Sequence, residues 1–200
     1  MSKLSEALQS GKFVVTGEVG PPKGVAIQEM LEAAELYKGR VITVNVTDQQ
    51  SAVMRLGSLA VCHLLKDMEI EPIFQMTCRD RNRIAIQSDL LSAYILGIEN
   101  VLCLTGDYVT LGDHPQAKPV FDLDSISLLQ AAVELQQGKD LAGKELQGSP
   151  KFFLGATVTP GANPLEPQII KMEKKVKAGA QFFQTQAVYE PENLRNLCRQ

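Results

Sequence analysis

The chain has 200 residues, of which 44% are hydrophobic, and its formal net charge is −3 at pH 7. This length and apolar content suit one domain with a substantial core, and the negative charge excludes the basic footprint that non-specific nucleic-acid binding requires. No apolar run approaches the roughly 20 residues of a membrane span, and residues 1–10 contain no signal-peptide core, so we expect a cytoplasmic protein with neither nucleic-acid nor membrane partners.

Six apolar runs recur along the chain and predict six β-strands. The runs are nearly continuous rather than alternating, as is typical of parallel strands covered on both faces. They begin at Phe13 (FVVTGEV), Val41 (VITVNV), Pro72 (PIFQMT), Asn100 (NVLCLTG), Phe152 (FFLGATV) and Phe182 (FFQTQAV).

Segments with helical periodicity lie between these runs. The apolar stripes are Ile27, Met30, Leu31 and Ala34; Ile126, Leu129 and Val133; and Ile169, Met172 and Val176. Asp124 or Ser125 is a candidate N-cap, and Gly179 is a candidate helix stop.

Strict alternation of strand and helix predicts an α/β fold with a parallel sheet. An open doubly wound sheet and a TIM (βα)8-type barrel both meet this description. No GxGxxG sequence and no P-loop follows a strand, so the dinucleotide-binding form of the open sheet has no support. We therefore favour the barrel, with about six of its eight βα units present, in a single domain over residues 1–200 that is shortened at its C-terminal end.

The four cysteines and two histidines form no recognisable metal or disulfide pattern. Cys62, Cys78, Cys103 and Cys198 are scattered without a CxxC pair, which favours buried free thiols in a reducing compartment. His63 lies within a predicted helix and is interpreted as structural. No metal site is predicted.

Polar residues follow every predicted strand, at the barrel end where the loops after the strands carry active sites. Their partners are either a ligand rich in donors and acceptors or neighbouring main-chain groups, and Glu18 could equally be a solvated carboxylate. Gly106 either admits a flat ligand close to the main chain or belongs to an ordinary turn. The positions are Glu18, Thr47–Asp48, Gln75, Thr77, residues 105–107, residues 156–157, Gln184 and Gln186.

Two basic clusters have both a functional and a structural interpretation. Lys171, Lys174, Lys175 and Lys177 lie on one predicted helix, where they are either solvated or include a phosphate ligand. The loop CRDRNR at residues 78–83 could bind a phosphate or a carboxylate, or pair only with Asp80 and Asp89.

Together these segments resemble the methylenetetrahydrofolate reductase family of flavin-dependent TIM-barrel enzymes. The matching pieces are GEVGPPKG, VNVTD, QMTCRDRN, LTGDY and KMEKKVKAGAQFFQTQAVY, in the family's order along nearly the whole chain. The family barrel has eight units, so the chain resembles about its first two thirds.

The resemblance implies a function and a set of site residues. The reaction would be reduction of 5,10-methylenetetrahydrofolate to 5-methyltetrahydrofolate by a hydride from reduced flavin, an oxidoreductase reaction of one-carbon metabolism. Glu18 would be the general acid for opening the folate ring, Asp107 a catalytic acid beside flavin and folate, and Gln186 a ligand of the folate pterin. The flavin positions would be Thr47, Leu104, Gly106, Asp107, Ala156, Lys174 and Lys175, with Lys175 at the phosphate.

Three flavin-contact positions depart from the better-known family members. Gln75 replaces a histidine, Thr105 an arginine and Thr157 a tyrosine, so both FAD and FMN stay open as the cofactor. The chain resembles a divergent branch from anaerobic metabolism, in which a redox partner protein can replace NAD(P)H as the electron donor. We expect a homo-oligomer. Alternative functions are a non-catalytic flavin- or folate-binding subunit and an unrelated TIM-barrel lyase that uses Glu18 and Lys175.

Overall fold

The computed structural model describes residues 1–199, which form one parallel sheet with helices between its strands. Each strand pairs with its neighbours in sequence, in the order β1-β2-β3-β4-β5-β6. A doubly wound sheet would instead reverse direction at a switch point, so this order confirms the curled, partial TIM-type barrel. The strands are Thr16–Val19 (β1), Thr43–Val46 (β2), Pro72–Thr77 (β3), Asn100–Leu104 (β4), Phe153–Val158 (β5) and Phe182–Thr185 (β6).

Five helices connect successive strands, one precedes the first strand and one follows the last. Of the two residues that the sequence offers as N-cap, Asp124 and Ser125, Asp124 is the N-cap of the fifth helix. Its side chain accepts hydrogen bonds from the amides of Ile126 and Ser127 in a capping box. None of these helices is long and apolar enough to cross a membrane. The helices are Lys3–Gln9 (α1), Gln28–Glu35 (α2), Ser58–Asp67 (α3), Arg83–Ile95 (α4), Ser125–Gln136 (α5), Glu166–Lys177 (α6) and Pro191–Cys198 (α7).

The first strand is shorter than the sequence predicts. Pairing with β2 begins at Thr16, opposite Thr43, and the Phe13 side chain is 93% exposed. The sequence predicts a strand that begins near Phe13, three residues before the first paired residue, so this boundary is placed too early. An apolar run marks residues that favour burial, but the partner strand determines where the ladder of hydrogen bonds begins.

Two apolar clusters lie on opposite faces of the sheet. The larger packs the outer face against the helices and includes Phe74 and Leu128. The smaller fills the barrel interior with Ile73, Leu102 and Phe153, and Leu4 of α1 packs against it. The Glu71 carboxylate, just before β3, accepts from the amides of residues 3 and 4, at 2.9 and 3.0 Å. Helix α1 therefore packs at the amino ends of the strands.

The cysteine prediction is confirmed at three positions and wrong at the fourth. Cys62, Cys78 and Cys103 are free and buried, whereas Cys198 at the end of α7 is free and exposed. Burial raises the pKa of Cys78 to about 12 and raises that of Cys103 as well. Burial therefore disfavours the thiolate form, which is the reactive form of cysteine, at both positions.

Candidate functional site

A polar cavity of about 770 Å³ opens at the carboxyl ends of the strands. This volume lies in the range of small-molecule sites, and this end of a TIM-type barrel is where the loops build such sites. Of the site residues predicted from the sequence, these line the cavity: Glu18, Thr47, Gln75, Leu104, Thr105, Gly106, Asp107, Thr157, Lys175 and Gln186.

Ala156 and Lys174, also predicted as flavin contacts, do not line the cavity. The Ala156 side chain is buried in the cluster that faces the helices, because successive residues of a strand point to opposite faces. Lys174 is exposed on α6.

Several polar side chains of the lining have no protein partner among the described residues, including those of three predicted site residues. Within residues 1–199, the side chains of Glu18, Asp107 and Gln186 make no hydrogen bond and no ion pair, and all three residues are exposed. They come from the ends of β1, β4 and β6. Two carboxylates and an amide are therefore available to a ligand in this cavity.

The inner wall of the cavity carries buried amides that are paired with one another. The Gln75 Nε2 atom donates to Asn45 Oδ1 at 3.5 Å, and Asn45 Nδ2 donates to the Gly17 carbonyl at 3.4 Å. Beside them, the Thr47 hydroxyl is buried and finds no partner among the described residues. Since an unpaired buried hydroxyl is unfavourable, this atom is a candidate for a ligand contact.

Asp48, which follows Thr47, has a structural role. Its carboxylate is fully buried and accepts from the Thr77 amide at 2.9 Å, from the Thr77 hydroxyl at 2.8 Å and from Arg81 at 2.7 Å. Arg81 also pairs with Asp89 at 3.0 Å. This network joins the ends of β2 and β3 to α4 beneath the cavity.

The basic loop after β3 is neutralised by acids of the protein itself. Arg79 pairs with Asp80 at 2.7 Å, and Arg83 pairs with Asp122 at 2.9 Å. The hydrogen bonds from Arg83 lower the pKa of Asp122 to about 2. The loop arginines thus pair with Asp80 and Asp89, as one interpretation of the sequence expects, and also with Asp48 and Asp122.

Lys175 is a buried cation at the edge of the cavity. Its Nζ atom donates to the Thr157 carbonyl at 2.6 Å and forms no ion pair within residues 1–199. Burial lowers the pKa of this lysine, and the nearby charge of Lys171 lowers it further, while Asp124 opposes both. An anion bound between the two lysines would relieve this repulsion.

The loop after β4 contains one position, Gly106, whose backbone conformation only glycine adopts readily. Gly106 has a φ of +95°, and a Cβ atom there would lie 3.1 Å from Cβ of Thr77 and 3.2 Å from Cβ of Arg79. The preceding hydroxyl, of Thr105, accepts from the Ser125 amide at 3.1 Å, at the start of α5. The chain therefore turns tightly against β3 just before Asp107.

Lining residues such as Gln168 and Gln49 were not among the candidates from the sequence, and helical spacing could have found the first. Gln168 and Lys171, the second already a candidate in the basic cluster, precede Lys175 by seven and four positions on α6, so the three share one face, from which Lys174 is offset. Gln49 lies in a loop and gave no periodic signal, and Arg79 belongs to the basic loop at residues 78–83 that the sequence had indicated.

The fold and the cavity together define a TIM-type barrel protein with a polar small-molecule site at the carboxyl ends of its strands. The family model described as methylenetetrahydrofolate reductase matches residues 3–200 of the chain. The protein belongs to the methylenetetrahydrofolate reductase family. No curated protein matches the chain significantly.

Solved structures of the same fold differ widely from the chain in sequence. One is an uncharacterized protein from Clostridium thermocellum that binds two copies of 5-methyl-5,6,7,8-tetrahydrofolic acid. It superposes with a TM-score of 0.66 at 16% identity, and the superposition covers 98% of this chain and 62% of the Clostridium chain. A 2,3-dimethylmalate lyase of the PEP mutase/isocitrate lyase superfamily gives 0.65 at 12% identity, covering 100% and 69%. The chain thus spans less than two thirds of the length of the Clostridium protein, and both similarities concern the fold alone.

Proposed function

We propose that this protein is a cytoplasmic flavoprotein that reduces 5,10-methylenetetrahydrofolate to 5-methyltetrahydrofolate. One observation carries the proposal: the side chains of Glu18, Asp107 and Gln186, from three separate strand ends, lie in one cavity without protein partners. Family membership supports it. So does the Clostridium thermocellum protein of the same fold, which binds a methylated folate.

The cavity contains groups that suit a flavin, either FAD or FMN. Lys175 and Lys171 would hold its phosphate, because both are cations without a protein counter-ion in the described residues. The orphaned hydroxyl of Thr47 would gain a partner, and the tight turn at Gly106 would bring main-chain groups to the ring. A bound reduced flavin would supply the hydride.

The folate would lie in the cavity within reach of the free side chains of Glu18, Asp107 and Gln186. Glu18 would give a proton to the folate ring nitrogen, so that the five-membered ring can open before reduction. The Gln186 amide offers both a donor and an acceptor to the pterin, and Asp107 lies near both molecules in this arrangement. The protein groups therefore bind, orient and protonate the substrate.

The test has two steps on the purified full-length protein. The first is an absorption spectrum, in which flavin bands after reconstitution with FMN or FAD are expected. The second is anaerobic reduction with a chemical donor, followed by mixing with 5,10-methylenetetrahydrofolate and chromatographic detection of 5-methyltetrahydrofolate. The same assay with NADH, with NADPH and with neither identifies whether a nicotinamide serves as donor or a redox partner is needed.

Each alternative function has its own outcome in this test. A flavin spectrum and folate binding without turnover would indicate a binding subunit instead of an enzyme. No flavin binding at all would contradict the proposal and leave a lyase function that uses Glu18 and Lys175. Sedimentation of the same sample tests the expected homo-oligomer.

A further inference from the structure

Arg79 is a buried cation between the loops that follow β2, β3 and β4. Its side chain is 2% exposed although it lies at the mouth of the barrel, two residues after β3 ends. It lines the main cavity and also an adjoining cavity of about 420 Å³. A guanidinium is stable in such a place only if its donors are paired.

The Arg79 donors are shared among three loops. Its Nη1 atom donates to the Asp107 carbonyl at 3.3 Å, and Nη2 donates to the Gln49 carbonyl at 3.2 Å. Its Nε and Nη2 atoms also donate to the Asp80 carboxylate, at 2.7 to 3.1 Å. Because the guanidinium is planar and its donors are fixed, it sets the separation of the Asp107 and Gln49 carbonyls.

The main chain of Arg79 also contacts the far end of the loop that carries Asp107. Its carbonyl accepts from the Val120 amide at 2.8 Å, so one residue contacts both residue 107 and residue 120 of the long connection from β4 to α5. On its other side, the close approach of Gly106 to the Arg79 Cβ leaves no room for a larger residue. The peptide that leads into Asp107 therefore packs directly on Arg79.

The loop that carries Gln49 needs such support. Gln49, Ser51 and Ala52 have φ values of 47°, 57° and 58°, a left-handed conformation that is unfavourable for residues with a side chain. Gln49 is held by its side chain, which bonds the main chain of Arg55 at 2.8 and 3.0 Å, and by its carbonyl, which bonds Arg79.

We propose that Arg79 is a positioning residue that fixes the main-chain position from which the Asp107 carboxylate enters the cavity. The Asp107 side chain has no partner of its own in the described residues, so its place in the cavity depends on its main chain, and that main chain is held by Arg79. The effect on tethering stands on the geometry alone, and the effect on catalysis rests on the proposed reductase function.

The test is a double-mutant cycle on the folate half-reaction. Arg79→Lys keeps the charge but replaces the planar guanidinium with a single nitrogen, which cannot occupy the separate positions from which Nη1 and Nη2 reach the two carbonyls. We expect it to slow reduction of the folate about 10-fold or more, since small misplacements of reacting groups have effects of this size. In the background of Asp107→Asn, the same change should add little, because Arg79 acts through Asp107. Arg83→Lys is the matched control. Arg83, at the start of α4, pairs with Asp122, so this variant should reduce the folate at the rate of the wild type.

Multiplicative effects of the two substitutions would overturn the positioning role, because they would mean that Arg79 acts independently of Asp107. Asp80→Ala offers a second variant at a more exposed position, should Arg79→Lys fold poorly. It removes one partner of Arg79 and should slow the folate step in the same non-additive way. Unaltered kinetics in a folded variant would also overturn the role.

Hydrogen exchange separates this inference from the proposed function. In Arg79→Lys, amides of residues 107–112 should exchange about 10-fold faster, while those of β3 and β4 keep their protection. This result together with an inactive wild-type protein would refute the reductase function and retain the tether. Unchanged exchange in residues 107–112 would refute the tether whatever the activity.

Discussion

Along β3, the side chains that face the barrel interior change from apolar to polar toward the carboxyl end. Ile73 packs in the interior cluster, whereas Gln75 and Thr77 line the cavity. Phe74 and Met76, between them, face the helices. This alternation follows from the period of two in a strand, and it divides the interior into a packed base and a polar site.

Glu18 is the residue whose chemistry is tested most directly. Glu18→Gln keeps the size and hydrogen bonding of the side chain but removes the acidic proton. We expect the variant to retain flavin and to accept electrons from a chemical donor, while its oxidation by methylenetetrahydrofolate slows by about 10² or more, the usual scale of general-acid catalysis. Rapid mixing of each half-reaction by itself gives the two rates.

The comparison of the two rates decides what Glu18 does. Equal slowing of both half-reactions would indicate damaged structure instead of a lost proton donor. An unchanged folate step would remove Glu18 from the mechanism. Glu29→Gln, at an exposed residue on α2 outside the cavity lining, is a suitable control.

Sequence reasoning located the site better than it located individual contacts. Glu18, Asp107 and Gln186 were predicted as members of one site, because parallel strands bring their carboxyl ends together, and they do line one cavity. It assigned the phosphate to Lys175 but also counted Lys174 as a flavin contact, since that choice depends on the rotation of α6 against the sheet. It indicated the basic loop at residues 78–83 but not the groups that Arg79 contacts, because a loop has no periodicity from which a contact can be predicted.

At the scale of elements, the buried ion pair of Asp48 and Arg81 joins β2 to the start of α4. Asp48→Asn leaves Arg81 without its closest counter-ion in a mostly buried place, with Asp89 as the remaining partner. We expect the free energy of unfolding to fall by about 3 kcal/mol, near the lower end for broken buried pairs. Urea titrations of wild type and variant measure it.

An exposed acid on a neighbouring helix provides the control for that change. The Asp67 side chain on α3 is 66% exposed, and among the described residues its one ion pair is with His63, at 3.8 Å, so Asp67→Asn should alter stability by less than about 0.5 kcal/mol. A similar small change for Asp48→Asn would mean that Arg81 finds full compensation elsewhere, and the network would then be dispensable.

The N-terminus of α5 makes a prediction about pH. Partial burial alone would raise the pKa of the Asp124 carboxyl. The hydrogen bonds from Ser127 and Ile126 outweigh burial and lower this pKa below its ordinary value. The ionised form therefore favours the folded state, and this contribution is present above about pH 4, the unfolded pKa. It is lost as the pH falls below that value.

Two substitutions at Asp124 separate the cap from the charge. Asp124→Ala should reduce stability by about 1 kcal/mol at pH 7, whereas Asp124→Asn retains a cap and should lose less. The difference between wild type and Asp124→Asn should shrink in urea titrations carried from pH 7 toward pH 3. A constant difference over this range would show that the charge plays no part.

Element boundaries were less predictable than element types. The helical stripes and strand runs gave the correct order of elements from β1 to β6, and the cap at Asp124 followed from its residue type. The start of β1 was wrong by three residues, between Phe13 and Thr16, because it depends on pairing with β2. Helix α1 was not predicted, since seven residues are too few for a clear period.

For the whole molecule, the regular spacing of apolar runs was sufficient to predict the parallel sheet and the barrel class. Handedness and connection rules leave few alternatives once strands and helices alternate, and the absence of a glycine-rich phosphate loop favoured the barrel over the open sheet. The size and contents of the cavity could not be predicted in this way. They depend on where the loops between strands and helices pack, as at Gly106 against Arg79.

Flavin binding should stabilise the whole fold by mass action. A ligand that binds only the folded state contributes about 2.7 kcal/mol at a concentration of 100 times its Kd. For a protein of this size, that contribution raises the unfolding temperature by about 5 to 11 °C. The shift reports cofactor binding without any need for turnover.

Neighbouring lysines on α6 allow this shift to be assigned to the phosphate position. Lys175→Met keeps the aliphatic stem of the side chain and removes the buried charge. A hydrogen bond from a charged donor to the flavin phosphate contributes about 1.5 to 3 kcal/mol, so its loss should abolish half or more of the rise in unfolding temperature. Lys174→Met removes an exposed charge one residue away, outside the cavity lining. Flavin should raise the unfolding temperature of this variant as much as that of the wild type. Thermal unfolding of the three proteins with and without FMN and FAD makes the measurement. Equal shifts in all three would place the phosphate elsewhere, and a loss with Lys174→Met alone would restore the contact that the sequence predicted for Lys174.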